Sequence, residues 1–196
     1  MKKGLIALIV VVVLGFIGYS MIKGMYNGMV EKQETTSAQW ANVETAYQRR
    51  ADLIPNLVST VKGYADFEQE TSTQVIEARA QATSINVNAD DLNPETLQRF
   101  QSAQDQLSGA LSRLLVTVER YPDLKANQNF LQLQSQLEGT ENRISVERRK
   151  FNEAVRDYNT HIKKFPQTIV ASMFGFDSKG YFQAAAGSEN VPEVSF

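Results

Sequence analysis

The stretch PETLQRFQSAQDQLSGALSRLLVTVERY, residues 94–121, decides the fold class of this chain. Its apolar residues recur at alternating spacings of three and four, which places them along one face of an α-helix. Asn93 before Pro94 is a typical helix start, with an N-cap followed by proline at the first helical position. Tyr121-Pro122 ends the helix, because the residue before a proline is driven out of helical backbone angles. The face consists of Leu97, Phe100, Gln104, Leu107, Leu111, Leu114, Val118 and Tyr121.

Two further stretches show the same alternation, one on each side of residues 94–121, and predict two more long helices. The earlier face comprises Trp40, Val43, Tyr47, Arg50, Ile54, Leu57, Val61 and Tyr64. The later face comprises Phe130, Leu133, Leu137, Thr140, Ile144, Glu147, Phe151, Val155, Tyr158 and Ile162. Arg50 and Glu147 are the charged members of these otherwise largely apolar faces.

Prolines and capping residues predict where these helices begin and end. We expect the first helix to continue to about Ala82. Pro55 should kink this helix or mark a short interruption, since proline lacks an N–H donor and clashes with the preceding turn. Asp123 is predicted to cap the third helix, and Phe165-Pro166 to end it. A short fourth helix is expected around residues 167–173.

These elements predict an all-α fold: an N-terminal transmembrane helix followed by an elongated antiparallel helical bundle of three long helices plus a short C-terminal helix. The predicted divisions are a short flank over residues 1–3, the transmembrane helix over 4–22, the bundle over 23–183 and a flexible tail over 184–196.

The predicted membrane anchor is GLIALIVVVVLGFIGYSMI, residues 4–22, which contains no charged residue. Its length is close to the ~20 residues needed to cross a bilayer. A cleaved signal peptide is the alternative, because Lys2 and Lys3 precede the apolar run. Retention is favoured, since the run is long for a signal peptide and no small-residue cleavage site follows it before Glu31. The anchor and the first bundle helix are expected to be nearly one rod.

The charges that flank the anchor predict its orientation. Lys2, Lys3 and the amino terminus lie on one side, and Lys23 and Lys32 on the other, so the positive charges on the two sides are almost balanced. The balance favours a cytoplasmic N-terminus and a bundle on the exported side of the inner membrane, spanning the membrane once.

The composition excludes several classes of function. The chain has no cysteine, which excludes disulfides, thiolate metal sites and cysteine nucleophiles. The formal net charge is −2, and basic residues are interspersed with acidic ones, so a nucleic-acid partner is not expected. The sole histidine, His161, lacks the partners of a bundle metal site and is interpreted as an ordinary residue near a helix C-terminus. No cofactor and no metal is predicted.

Arg50 is expected to form an ion pair across the bundle, with either Glu141 or Glu147 as its partner. Such a pair in a helical face fixes the register of the helices at some cost in stability. Catalysis by the carboxylates around Glu141 and Asn142 is the less favoured alternative. Gly24 and Gly28 stand four apart and could let two anchors approach closely, or could simply be tolerated.

The stretch containing Ile169, Val170, Met173, Phe174 and Phe176 is the most apolar part outside the anchor. We expect it to close the core at one end of the bundle. A partner groove or a contact with the bilayer is the alternative.

Several motifs in one order make the chain resemble the LemA family. They are YQRRADLIPNLV at 47–58, VKGYA at 61–65, EARA at 77–80, YPDLKA at 121–126 and LEGTENRI at 137–144, followed by Tyr158-Asn159 and Phe165-Pro166. The resemblance implies a single N-terminal transmembrane helix and an elongated antiparallel bundle. It implies no reaction, and it points weakly to a partner protein in the membrane.

The leading hypothesis is a membrane-anchored, non-catalytic scaffold or adaptor of the bacterial cell envelope, with the lipid bilayer and a membrane or envelope protein as partners. The alternative is a self-assembling envelope or stress-related structural protein, in which the chain forms homo-oligomers. No catalytic, cofactor-binding or metal-binding residue is predicted. The structural or interaction candidates are Arg50, Pro55, Tyr121, Pro122, Asp123, Glu141, Asn142, Glu147, Tyr158, Asn159, Phe165 and Pro166.

Overall fold

A computed structural model describes residues 2–63 and 69–183 of the chain. Six helices and no strand occur within these two ranges, so the predicted all-α fold is confirmed. The helices are α1 (Lys2–Lys62), α2 (Gln69–Ser84), α3 (Pro94–Val118), α4 (Pro122–Lys125), α5 (Gln128–Lys163) and α6 (Gln167–Phe174). The predicted flexible tail, residues 184–196, lies outside the described residues.

Helix α1 joins the apolar anchor and the first bundle helix in one element of 61 residues. Among the described residues, α1 is the one helix long and apolar enough to cross a membrane. The side chains of residues 4–22 are almost entirely exposed, so no other part of the described chain covers them. The expectation of a single rod is therefore confirmed, and the predicted boundary at residue 22 falls inside a helix.

Helix α2 does not continue the first helix, so the predicted extension to about Ala82 is wrong. Helix α1 ends at Lys62, and α2 runs back beside it, since the Arg79 side chain reaches the backbone of Ala51. The Ala- and Gln-rich stretch is helical, but local periodicity could not show that the chain reverses before it. The reversal brings α2 against both α1 and α3.

The boundaries of the later helices agree with the sequence with one exception. Asn93 caps α3 through a hydrogen bond that its side chain accepts from the Thr96 amide, with proline at the first helical position. Asp123 does not cap the third long helix, because α4 intervenes and Asn127 accepts the capping hydrogen bond from the Phe130 amide instead. Helix α6 begins where predicted and ends at Phe174, one residue beyond its predicted end.

The buried residues form three apolar clusters that follow one another along α1. The cluster farthest from the anchor is built on Ile54, Leu57 and Val61, and the middle cluster on Trp40 and its aromatic neighbours. The cluster nearest the anchor contains Met29, Tyr158, Ile162, Val170 and Ala171. The three predicted helical faces supply most of these residues, because each face buries its apolar side against the others.

Candidate functional site

A polar layer around Arg50 separates the far and middle apolar clusters. The Arg50 side chain is 1% exposed, and one of its terminal nitrogens, Nη1, donates to Glu141 Oε1 at 2.8 Å and to Ser108 Oγ at 2.6 Å. The other, Nη2, donates to the side-chain oxygen of Gln104 at 2.6 Å and to its carbonyl at 3.2 Å. One guanidinium therefore connects α1, α3 and α5 at a single level of the bundle.

Glu141 is the carboxylate that Arg50 contacts, and Glu147 serves a different group of residues. The Glu147 side chain is buried, and its Oε1 atom accepts from Arg143 Nε at 2.8 Å and from Lys150 Nζ at 3.3 Å, both on α5. Asn142 is exposed beside Glu141. The Arg50–Glu141 pair joins α1 to α5, whereas the ion pairs of Glu147 lie within α5.

Pro55 lies inside α1, which stays helical through it without the interruption that the sequence allowed. A proline cannot donate to the carbonyl four residues back, which here is that of Ala51. Arg79 of α2 supplies the missing donor, since its Nε atom donates to the Ala51 carbonyl at 2.8 Å. Pro55 therefore leaves a buried carbonyl of α1 without its helical donor, and α2 packs against α1 at this point by supplying one.

The elbow Tyr121-Pro122-Asp123 connects α3 to the short helix α4. Pro122 occupies the first position of α4, and Asp123 lies in its first turn. Leu124, one residue further on, is fully buried in the far apolar cluster. The elbow thus closes the end of the bundle that lies farthest from the anchor.

Residues 176–183 form an irregular segment, which we call the strap, that returns along the side of α5. Asn159 brackets the backbone of Lys179: its Nδ2 donates to the Lys179 carbonyl at 2.8 Å, and its Oδ1 accepts from the Lys179 amide at 2.9 Å. Asn152 brackets Phe182 in the same way, with both distances at 2.9 Å. Gln101 of α3 brackets Gln183, with both distances at 3.0 Å.

The spacing of the two asparagines matches the length of the strap between the residues that they hold. Residues seven apart on a helix lie about 10.5 Å apart along its axis. Three residues of extended chain cover about 10 Å. Asn152 and Asn159 therefore act as fixed clamps for backbone groups that would otherwise be buried without partners. Sequence reasoning singled out Asn159 alone, although the seven-residue spacing of the two asparagines was a readable signal.

Lys179 is the buried cation of the strap. Its Nζ atom donates to the Ala89 carbonyl at 3.2 Å and lies 5.7 Å from the centre of the Tyr158 ring. Burial lowers the pKa of the Lys179 ammonium, while Asp90 acts in the opposite direction. Burial, and then the nearby Asp177 carboxylate, raise the pKa of Tyr158 to about 12, so its hydroxyl stays protonated and donates to the Asp177 carbonyl. Nothing in the sequence pattern indicated the role of Lys179.

Gly180 lets the strap pass close to the start of α3. A Cβ atom at this position would lie 2.8 Å from the Pro94 Cα atom, which is closer than real side chains approach. The Gly180 amide donates to the Leu92 carbonyl at 2.8 Å. The strap is thereby locked to the loop before α3 as well as to α5.

The end of the bundle nearest the anchor is formed by α6 and by the last turn of α5. Phe165 and Pro166 join the two helices, their peptide bond is cis, and the Phe165 ring is 80% exposed. Tyr26 of α1 packs edge-on against Phe174 at 5.0 Å and against Phe176 at 5.5 Å between ring centres. The expected closure of the core by this stretch is only partial, because Val170 is buried while Ile169 and Met173 face outward.

His161 lies in the last turn of α5, as the sequence predicted, and it is half-buried against α1. Its Nε2 atom lies where a side chain on Gly28 would begin, 3.3 Å from the Cβ position. Burial, followed by the cations Lys32 and Lys164, lowers the pKa of its imidazole. The face of Gly28 is therefore occupied within the chain, and Gly24 alone of the proposed small-residue pair has open space around it.

The described residues offer no group of three or more His, Asp and Glu side chains placed to hold a metal ion. Arg50 and Glu141 make contacts between helices, and Asn152 and Asn159 hold the strap. Glu147 pairs with residues of its own helix, and Asn142 is exposed. The contacts between helices and with the strap can fix shape, register and surface.

Comparison with known proteins assigns the family. Magnetosome protein MamQ 2 from Paramagnetospirillum magneticum is 28% identical over 195 residues, covering 90% of this chain and 72% of the relative. Protein LemA from Metamycoplasma hominis is 27% identical over 167 residues, covering 85% of this chain and 73% of the relative. The model of the LemA family matches residues 39–196, which is most of the chain. Together with the motifs and the helical fold, this match shows that the chain belongs to the LemA family.

Proposed function

We propose that this protein is a non-catalytic scaffold or adaptor of the bacterial cell envelope, anchored in the inner membrane by the first part of α1. The observation that carries the proposal is the continuity of α1, which runs as one helix from the apolar segment to Lys62. A continuous helix transmits the position and direction of the anchor to the bundle, whereas a flexible linker would not.

The reach of the bundle supports this role. Residues 23–62 of α1 extend about 60 Å at 1.5 Å per residue. The far end of the bundle, near α4, therefore stands well clear of the headgroups. A single-pass topology with the bundle on the exported side is part of the proposal, and the lysines at residues 2 and 3 support it.

The use of polar groups supports a non-catalytic role. The hydrogen-bond partners of Arg50, Asn152 and Asn159 belong to other elements of the same chain. The names of the relatives state no reaction. A protein built in this way would act through its surface.

The far part of the bundle is where we propose that a membrane or envelope protein makes contact. Val116 of α3 is 71% exposed there, far from the anchor along the bundle. Single exposed apolar side chains are common on soluble proteins, so the contact at Val116 is itself part of the proposal.

Photo-crosslinking in living cells tests the proposal. A benzophenone amino acid replaces Val116 in the full chain, and Gln98 is the matched control. Gln98 is exposed on the same helix, five turns earlier and about 27 Å nearer the anchor. We expect adducts with a different protein at Val116 that are absent or rarer at Gln98. Adducts only between copies of this chain would replace the adaptor with a self-assembling structural protein. No adduct at Val116 would contradict both.

A further inference from the structure

The helix α6 leaves an apolar side exposed at the anchor end of the bundle. Its sequence, QTIVASMF, contains no charged residue. Val170 and Ala171 face the core, whereas Met173 is 68% exposed and Ile169, four residues earlier, is half exposed on the same side. We call the outward group the foot: Phe165, Ile169, Met173 and Phe174.

The register of α5 against α1 places the foot at the level of the membrane edge. His161 lies opposite Gly28, and the two helices are antiparallel. Each residue further along α5 therefore corresponds to one residue back along α1, which brings Lys163, the last residue of α5, to the level of about residue 26. The uncharged anchor segment ends at residue 22, about 6 Å away along the axis, and Phe165 and α6 follow directly after Lys163.

Ring contacts connect the foot directly to the anchor helix. Tyr26 of α1, one turn beyond the anchor segment, packs edge-on against Phe174 and Phe176. Tyrosine rings at the end of a membrane helix favour the headgroup region, where an apolar body and a polar tip are both accommodated. The foot is thus held beside a side chain that itself stands at the bilayer surface.

We propose that the foot rests in the headgroup region of the same bilayer that α1 enters, as a second attachment of the bundle to the membrane. Short helices with one apolar side bind such a surface by burying that side at the boundary of the acyl chains. This inference rests on the membrane insertion of α1 in the proposed function. With two points of attachment, the bundle cannot swing freely about its anchor.

The charges around the foot suit a lipid surface. Lys23 at the end of the anchor segment and Lys163 and Lys164 at the end of α5 are all exposed. The acidic residues nearest in sequence to these lysines are Glu31, Asp157 and Asp177. Lys32 and Arg156 directly adjoin the first two, so the cations still outnumber the acids. Lysines close to a membrane surface are attracted to anionic headgroups.

The absence of cysteine from the chain permits a direct test. Full chains carrying Met173→Cys are labelled with the environment-sensitive fluorophore NBD and reconstituted in phosphatidylcholine vesicles with and without anionic phosphatidylglycerol. A second set of vesicles also contains a lipid with a nitroxide near its headgroup, which quenches probes at that depth. Val116→Cys is the matched control, because Val116 is as exposed as Met173 but lies far from the anchor.

Two further measurements separate the possible failures. Val11→Cys, inside the anchor segment, reports on the insertion of α1 with a nitroxide placed deep in the acyl chains. Fewer than one chain per vesicle is used in the main series, so that a second copy cannot cover the foot, and a second series is measured at high protein density. The fluorescence of Trp40, the sole tryptophan and a buried one, verifies that each variant is folded.

We expect the probe at position 173 to be quenched several-fold more strongly than the probe at 116, and more strongly with phosphatidylglycerol than without it. Equal, weak quenching at 173 and 116 with strong quenching at position 11 would reject the foot and leave the anchor intact. Weak quenching at position 11 would reject the insertion of α1, and with it both the proposed function and the foot. Shielding of position 173 that occurs only at high protein density would assign the foot to contacts between copies instead.

Discussion

The pairing of Pro55 with Arg79 predicts an unusual dependence of one substitution on another. Arg79→Met removes the donor that satisfies the Ala51 carbonyl, which Pro55 has left without its helical partner. In a chain that also carries Pro55→Ala, the alanine amide can donate to the same carbonyl. The Arg79 side chain should therefore matter in the wild type and matter much less in the Pro55→Ala background.

The magnitude follows from the burial of the acceptor. Ala51 is 4% exposed with Arg79 in place, and a methionine side chain at position 79 is long enough to keep the Ala51 carbonyl covered without supplying a donor. The loss of a charged donor to a buried carbonyl costs about 1.5–3 kcal/mol. In the Pro55→Ala background we expect a cost below about 1 kcal/mol, because a backbone hydrogen bond replaces the lost one. The coupling between the two substitutions is then about 0.5–3 kcal/mol.

The assay is a double-mutant cycle on the full chain in detergent micelles. Trp40 fluorescence follows the unfolding of the bundle in urea, since this tryptophan is buried in the middle apolar cluster and lies outside the anchor. Arg99→Met is the control for loss of an arginine, because Arg99 is exposed on α3 and its replacement should change stability by no more than about 0.5 kcal/mol.

One outcome would refute this account of Pro55. If Arg79→Met lowers the free energy of unfolding equally with proline and with alanine at position 55, the Ala51 carbonyl is not the group that Arg79 stabilises. A stability loss from Pro55→Ala alone would also count against it, since the alanine restores a helical hydrogen bond.

Three further predictions concern the polar layer, the strap and His161. Glu141→Gln should lower the free energy of unfolding by about 2–4 kcal/mol, because it leaves the buried Arg50 guanidinium without its countercharge. Adding Arg50→Met should recover part of that loss. Urea unfolding curves in which the double variant is less stable than Glu141→Gln alone would contradict this. Gly180→Ala should cost about 1–3 kcal/mol, since an added Cβ would lie 2.8 Å from the start of α3, whereas Gly139→Ala meets no atom within 4 Å and should not lower the melting temperature. Folding lowers the pKa of His161 from 6.5, so on acidification the unfolded chain binds the proton before the folded chain does. Stability should therefore fall as the pH drops through 6.5 and become constant below the folded pKa. If melting curves of His161→Gln show the same fall, the imidazole is not its cause.

Helical periodicity predicted most of the fold. The faces that include Trp40, Leu107 and Phe151 are buried as expected, because an apolar side chain repeated at helical spacing has to leave water on one side of the helix. The extension of the first helix to Ala82 was wrong, since a stretch with good helical propensity does not indicate in which direction the chain runs. The cap was assigned to Asp123 rather than Asn127, because both residues are good caps and local sequence does not rank them.

The candidate site was only partly readable from the sequence. The ion pair of Arg50 could be narrowed to two carboxylates, and the choice of Glu141 depended on the vertical register of α1 against α5. The periodicity of apolar residues did not predict the strap, because its apolar residues follow neither the helical nor the strand spacing. The strap is held by the side chains of Asn152 and Asn159. The roles of the predicted interaction candidates in binding a partner stay predictions.

The sequence by itself determined the fold class, the apolar N-terminal segment as a candidate membrane span, most helix ends and the family, because these depend on the local order of apolar, capping and proline residues. The tertiary structure alone decided that the chain reverses after Lys62, that Arg79 completes the hydrogen bonding which Pro55 disrupts, and that α6 meets α1 at the edge of the anchor segment. These features join residues that are far apart in the chain. They depend on which surfaces can be buried together, a property of the whole molecule that no local pattern contains.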